Sequence, residues 1–214
     1  MAAILGAILF TAAGTLAWPA GWVFLGMLFA FAWMLGIWLY RNDPDLLQER
    51  LTFFGKSDQK TWDKVFFVGI NGYFLAWLAL MGLDAVRFHW STVPPELRAV
   101  GGCMIAAAFY GFFATFRENA YLSPVVRVQF ERGHTVVTTG PYRWVRHPLY
   151  AAAIPFVTGT ALLLGSWYGL LASLAMVLGL GWRAVGEERV LLAELAGYDA
   201  YRSQVKYRFI PYIW

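Results

Sequence analysis

Charge is what this 214-residue chain has least of. Only 14% of its residues are Asp, Glu, Lys or Arg, against about 25% in an average soluble domain. Cysteine is almost absent: Cys103 stands alone, which excludes a disulfide within the chain and a zinc site built on cysteine pairs. The net charge of +4 is small and scattered, so the electrostatic footprint of a nucleic-acid binder is missing. Low hydrophobicity, the signature of disorder, is missing too. What is present is apolar: 59% hydrophobic residues, 18% of the chain aromatic. The length suits one domain. These facts predict an all-α fold, a single integral membrane domain over residues 1–214.

A helix that crosses a bilayer needs roughly 20 mostly apolar residues. Met1 to Ala17, Trp22 to Tyr40, Val65 to Val86 and Ala99 to Phe116 each meet that need, with Asn71 and Asp84 interrupting the third. Trp18-Pro19-Ala20-Gly21 reads as a tight turn after the first. A signal peptide is disfavoured there, because no basic region precedes the apolar run and a second span follows at once. The apolar block from Tyr150 to Trp182 is too long for one span, contains Pro155 and is broken at Leu164-Gly165-Ser166-Trp167-Tyr168. It is expected to fold as a hairpin of two shorter helices. The expected architecture is a polytopic bundle of about six membrane segments: four spans within 1–116, and the hairpin in a cofactor-binding half at 117–214.

Charge placement supports that count. The 41–64, 117–148 and 183–214 regions each hold five Lys or Arg, and the 87–98 loop holds two. A hairpin puts the three rich regions on one face, and an excess of Lys and Arg marks the cytoplasmic side. Both termini and the active site are therefore expected in the cytoplasm, at the inner membrane if the source is prokaryotic. Trp18, Trp22, Trp38, Tyr40, Trp90, Trp167 and Tyr168 lie near predicted helix ends, where such rings favour the interface.

Two stretches on that face are not membrane spans. Asp43 can cap a helix that opens with Pro44, and Leu46, Leu47, Leu51 and Phe54 recur at helical spacing. This predicts an interfacial amphipathic helix near 44–54, read as a solvated connector or as a gate. The second stretch, Arg117 to Pro148, carries five Arg and two His among aromatics. Val125, Val126, Val128, Val136 and Val137 favour extended backbone, and an ordered lid or pocket wall is expected. Beyond the hairpin stand Arg183, Glu187 and Glu188, ionisable groups at the edge of a span. Arg183 and Glu187 sit at i and i+4 and can pair, while Glu188 points about 100° further round. An ion-pair cluster that merely ends the helix is the plain alternative.

The segments GHTVVTTGPYRWVRHPLYA and RAVGEERVLLAELAGYDAYRSQVKYRFIP resemble the isoprenylcysteine carboxyl methyltransferase family of integral membrane enzymes. The resemblance spans Asn119 to Trp214 and rests on G-P-Y-R, R-H-P-x-Y, the Glu pair, G-Y-x-x-Y and the closing Tyr-Arg-Phe-Ile-Pro. The family commonly continues R-H-P-x-Y-x-G, and here Ala152 replaces that glycine. The resemblance implies S-adenosyl-L-methionine as methyl donor and a lipophilic acceptor: a prenylcysteine-like or isoprenoid-like carboxylate, or another lipid. Its implied cofactor site comprises Gly140, Tyr142, Arg146, His147, Pro148, Tyr150 and Glu188. Glu188 can hold the donor's ammonium, and His147 or Arg146 its carboxylate. Tyr142 or Tyr150 can offer a ring face to the sulfonium or a hydroxyl to the ribose. Arg183, with Glu187, is assigned the catalytic role of orienting an anionic acceptor.

Other signals point elsewhere or nowhere. Gly179-x-Gly181-x-x-Ala184 matches a dinucleotide fingerprint but lacks the strand that fingerprint needs. Gly165 and Gly169 suit helix packing. His89 and His134 have no second ligand at metal spacing, so no metal is expected, and the expected partners are membrane lipids and the lipophilic substrate. Two rivals remain open: an NADPH-dependent reductase resembling the sterol reductases, and a non-catalytic membrane interaction protein.

Overall fold

Proline opens four of the helices, where its missing N–H costs nothing and its fixed φ is already helical. The computed structural model describes residues 2–52 and 59–214. Its helices are α1 (Ala2–Ala13), α2 (Pro19–Asn42), α3 (Pro44–Leu51), α4 (Thr61–Gly82), α5 (Pro95–Glu118), α6 (Pro148–Leu164), α7 (Trp167–Glu194) and α8 (Tyr198–Gln204). A π-turn over Leu83–Phe88 prolongs α4, and single 3-10 turns cover Phe130–Arg132 and Gly140–Arg143. No strand occurs among the described residues.

Six of these helices are apolar, in the order expected, but they are not equal. α2, α4 with its π-turn, α5 and α7 have 24, 28, 24 and 28 residues and are long and apolar enough to cross a membrane. α1 has 12 residues, or about 18 Å at 1.5 Å per residue, short of a hydrocarbon core of about 30 Å. Gly14, at φ +74°, ends it before Ala17; Met1 lies outside the described residues.

The final block turns at Gly165 (φ +88°) and Ser166, as the sequence suggests. Its second arm is not short, however. No breaker follows Trp182, so α7 runs on through Arg183, Glu187 and Glu188 to Glu194, and Gly197 at φ +84° then opens α8. Asn71 lies within continuous helix, whereas Asp84 sits in the π-turn. The 44–54 expectation holds over Pro44–Leu51: Asp43 accepts the N–H of Leu46 at 3.0 Å. Phe54 and Lys56 lie outside the described residues.

The chain divides into two compact units. The first comprises Met1–Met34, Gly69–Phe109 and Ala153–Gly179. Its core includes Leu9, Phe24, Leu78, Met81, Ile105 and Leu164, all with no exposed surface. Lipid tails are as apolar as leucine, so helix contact in a membrane rests on close packing and hydrogen bonds. Gly101 and Gly159 supply the first: a Cβ on Gly101 would lie 2.6 Å from the carbonyl oxygen of Gly159. Trp77 Nε1 and Tyr73 Oη supply the second, donating to the carbonyls of Gly169 and Ala172. Asp84 accepts from the hydroxyls of Ser91 and Ser166 and so ties the π-turn to the hairpin turn.

The second unit comprises Leu35–Val68, Tyr110–Ala152 and Leu180–Trp214. Leu39, Leu46 and Phe116 form one of its buried clusters, and Val128, Tyr142, Leu195, Tyr198 and Tyr201 another. α3 is fastened to the irregular 119–139 segment by a bidentate pair: Arg127 Nε and Nη2 donate to the two carboxylate oxygens of Glu49 at 3.2 and 3.1 Å. Both side chains are 5% exposed. All the candidate site residues belong to this second unit.

Candidate active site

The 119–147 segment forms no strand despite its valines, because its hydrogen bonds go elsewhere. Asp63 accepts the N–H of Val126, and Gln129 donates its amide to the carbonyl of Tyr121. The C-terminal tail then positions the Arg146-His147-Pro148 turn: the N–H groups of Arg146 and His147 donate to the carbonyls of Tyr207 and Arg208, at 2.9 and 3.0 Å. Pro148 opens α6 directly after it. Tyr142 is fixed twice. Its hydroxyl accepts from Asn119 Nδ2 at 2.7 Å, and its carbonyl accepts the hydroxyl of Tyr201 at 2.8 Å. Burial pushes the Tyr142 and Tyr201 hydroxyls well above the usual phenol range, so both stay protonated and serve as neutral hydrogen-bonding groups.

These elements enclose a cavity of about 270 Å³, near the lower end of small-molecule sites at ~300 Å³. Tyr142, Arg146, His147, Pro148, Tyr150, Arg183 and Glu187 all line it. The expected lid does form a wall of it, through Tyr121 to Arg127 and His134 to Val137. Gly140 and Glu188 are not in the lining. Gly140 sits at φ +55°, where a Cβ would strike the Glu118 side chain. Its glycine serves the turn.

The two adjacent glutamates differ sharply. Glu188, 3% exposed, is surrounded by cations: Oε1 accepts from Arg146 Nε at 2.7 Å and lies 3.2 Å from His147 Nε2, and Oε2 accepts from Arg208 Nε at 3.0 Å. Its acceptor sites are largely taken, so it does not present a carboxylate to a donor ammonium. Glu187 does face the cavity. Its Oε2 accepts the hydroxyl of Tyr150 at 2.8 Å and lies 3.8 Å from His147 Nδ1. The His147 and Tyr150 rings stack at 5.4 Å, and Phe209 packs edge-on against both.

Arg183 pairs with Asp63, not through the helical Glu187 contact the spacing allows. Nε donates to Asp63 Oδ1 at 2.9 Å, and Nη2 donates to the carbonyl of Pro124 at 2.7 Å. Asp63 has no exposed surface. Nη1 of Arg183 has no partner among the described residues. Among the decoys, Gly179 and Gly181 lie inside α7, His89 caps the π-turn, and His134 stacks on Tyr121 at 4.4 Å. No group of three metal-ligating side chains occurs among the described residues.

Residues 97–196 match the family model of the phospholipid methyltransferases. A protein-S-isoprenylcysteine O-methyltransferase of Schizosaccharomyces pombe is 25% identical over 210 residues, covering 85% of this chain and 89% of its own. A solved structure of the eukaryotic intramembrane Ras methyltransferase, an isoprenylcysteine carboxyl methyltransferase, has the same fold. It aligns with a TM-score of 0.55 and 21% identity over 99% of this chain and 75% of that one. The chain is thus similar to the phospholipid methyltransferases over residues 97–196 and to an isoprenylcysteine O-methyltransferase over most of its length. It is an integral membrane protein.

Several residues outside the sequence motifs hold the site together. Asp63 holds Arg183, Arg208 holds Glu188, and Asn119 holds Tyr142. A buried acid opening an apolar helix was the signal available for Asp63. Nothing local marks Asn119. Ala152 is accommodated by Gly111, since a Cβ there would lie 2.9 Å from the Ala152 methyl. The space for the Ala152 methyl is supplied from α5.

Proposed function

We propose that this protein is a membrane carboxyl methyltransferase that moves a methyl group from S-adenosyl-L-methionine to a lipophilic acid of the prenylcysteine kind. The observation that carries the reading is one cavity lined by an arginine, Arg183, and a free-facing carboxylate, Glu187, about an aromatic wall. Methylation of an acid needs both: a cation for the acceptor and an anion for a cationic donor. The likeness to an isoprenylcysteine O-methyltransferase supports this reading over the reductase alternative.

The residues present fit the donor. Tyr198 Oη is buried without a hydrogen-bond partner among the described residues, and Tyr198 lines the cavity; a buried unsatisfied hydroxyl costs about 1–3 kcal/mol, which a polar ligand atom relieves. Glu187 holds the ammonium or faces the sulfonium, and the Tyr150 hydroxyl fixes its orientation. Tyr142 and Tyr150 present ring faces to a cation. When bound, the donor supplies a methyl group already activated on a sulfonium. No general base is needed, because a carboxylate is its own nucleophile. Arg183, held by Asp63 and Pro124, presents Nη1 to that carboxylate and keeps it in line. Positioning and water exclusion by the 121–127 and 134–137 walls supply the remaining catalysis. The excess of Lys and Arg in the 41–64, 117–148 and 183–214 regions supports a cytoplasmic face for this site and both termini.

The test uses detergent-purified protein with methyl-labelled S-adenosyl-L-methionine and a farnesyl-thioether carboxylic acid. The expected product is a methyl ester that releases labelled methanol in mild base. Label retained in base, or binding of NADPH in place of the methyl donor, overturns the reading.

A further inference from the structure

Arg50 is the cation of the cavity that the mechanism above leaves unused. It projects from the last turn of α3 into the same cavity as Arg183 and Glu187. Its neighbours there are neutralised: Arg127 by Glu49 and Glu131 at 3.1 and 2.7 Å, Arg146 by Glu188 at 2.7 Å, Arg183 by Asp63 at 2.9 Å. Arg50 has no carboxylate at ion-pair distance among the described residues. It is held by neutral groups instead. Nη1 donates to the carbonyl of Leu122 at 3.0 Å, and the guanidinium lies 4.6 Å above the Phe116 ring.

This arrangement is costly unless an anion arrives. Arg50 is half-buried, and a cation partly withdrawn from water without a counter-charge keeps part of its desolvation penalty. Burial, and then the nearby Arg183 charge, lower the Arg50 guanidinium to about 10. The Leu122 carbonyl and the Phe116 face fix the plane of the fork, which leaves N–H donors on its other edge. A guanidinium held in advance loses little freedom when it binds.

We propose that Arg50 is a second anion-binding residue of this cavity, gripping the carboxylate of the lipophilic acceptor together with Nη1 of Arg183. The proposal rests on the methyltransferase reading for the acceptor being an acid. It gives the site a means of telling substrate from product. The acid is anionic and satisfies both guanidiniums; its methyl ester is neutral, leaves Arg50 without a counter-charge, and is released.

Calorimetry on the full chain in detergent tests this with a farnesyl-thioether carboxylic acid, its primary amide and its methyl ester. A charge-assisted hydrogen bond is worth tenfold or more, so the wild type prefers the acid to the amide by at least about that factor. Arg50→Gln brings acid and amide within about twofold of each other, and leaves S-adenosyl-L-methionine affinity within about threefold, because only the charge-assisted contact is removed. Acid preference retained in Arg50→Gln, or absent from the wild type, overturns the proposal. If Arg50→Gln does not fold, Arg50→Lys decides: losing the planar fork costs at least about threefold in acid preference, and no loss overturns it. These readouts need no turnover, so a wild type that prefers the acid yet transfers no methyl counts against the methyltransferase reading alone.

Discussion

Asp63 holds Arg183 in place: Oδ1 accepts from Nε at 2.9 Å, while Oδ2 accepts the N–H of Val126 at 2.9 Å. One carboxylate thereby joins the start of α4, the 119–147 segment and α7. Removing one partner of a buried pair leaves an uncompensated charge. Asp63→Ala is therefore expected to lower unfolding stability by about 3 kcal/mol or more and to raise the KM for an acid acceptor. Denaturation in detergent with steady-state kinetics checks both. Unchanged stability would remove Asp63 from this role.

Glu187 and Glu188 should separate cleanly. Glu188 bonds Arg146 and Arg208 and lies against His147, so Glu188→Ala is expected to lower thermal stability and donor affinity together. Glu187 faces the cavity, and Glu187→Gln is expected to weaken donor binding about tenfold, the value of a charge-assisted contact, with stability nearly unchanged. Thermal shift and calorimetry on the two variants read the difference. The reverse pattern would return the ammonium to Glu188.

His134 gives a pH signature. Burial first, then the Arg127 and Arg132 charges, lower its imidazole from 6.5 to about 4. Gln129 N–H donates to its Nδ1 at 3.3 Å, a bond that needs the neutral ring. Because the folded value lies below the unfolded one, the unfolded chain binds more protons between pH 4 and 6.5, and stability rises with pH across that window. The contribution is complete above pH 6.5 and is lost as pH falls through about 4. Replacing His134 by Asn should flatten this part of the stability profile. An NMR titration midpoint near 6.5 in the folded protein would contradict the assignment.

Gly111 and Ala152 should behave as a coupled pair. A Cβ on Gly111 meets the Ala152 methyl at 2.9 Å, so Gly111→Ala should cost roughly 1–3 kcal/mol by overpacking. Ala152→Gly in the same chain should recover most of that loss, since contacting residues are non-additive. Additive stabilities for the double variant would mean that the helices shift to absorb the methyl.

The all-helical membrane character, the order of the apolar helices, the Gly165-Ser166 turn and the Asp43 cap follow from composition, hydrophobic run length and local turn chemistry. Each depends on neighbours within a few residues, and a sequence displays such information directly. The motifs likewise led to Tyr142, Arg146, His147, Pro148, Tyr150, Arg183 and Glu187, all of which reach one cavity. What only the tertiary structure decided is the partner of each charge. Asp63 is 120 residues from Arg183, and Glu188 is 42 from Arg146, so no local spacing could pair them. The same holds for the roles of Glu187 and Glu188. A step of about 100° round one helix turns one carboxylate to the cavity and buries the other among cations. Which of the two is which depends on where α7 meets the tail and the Arg146-His147 turn, and that is set by packing between distant segments.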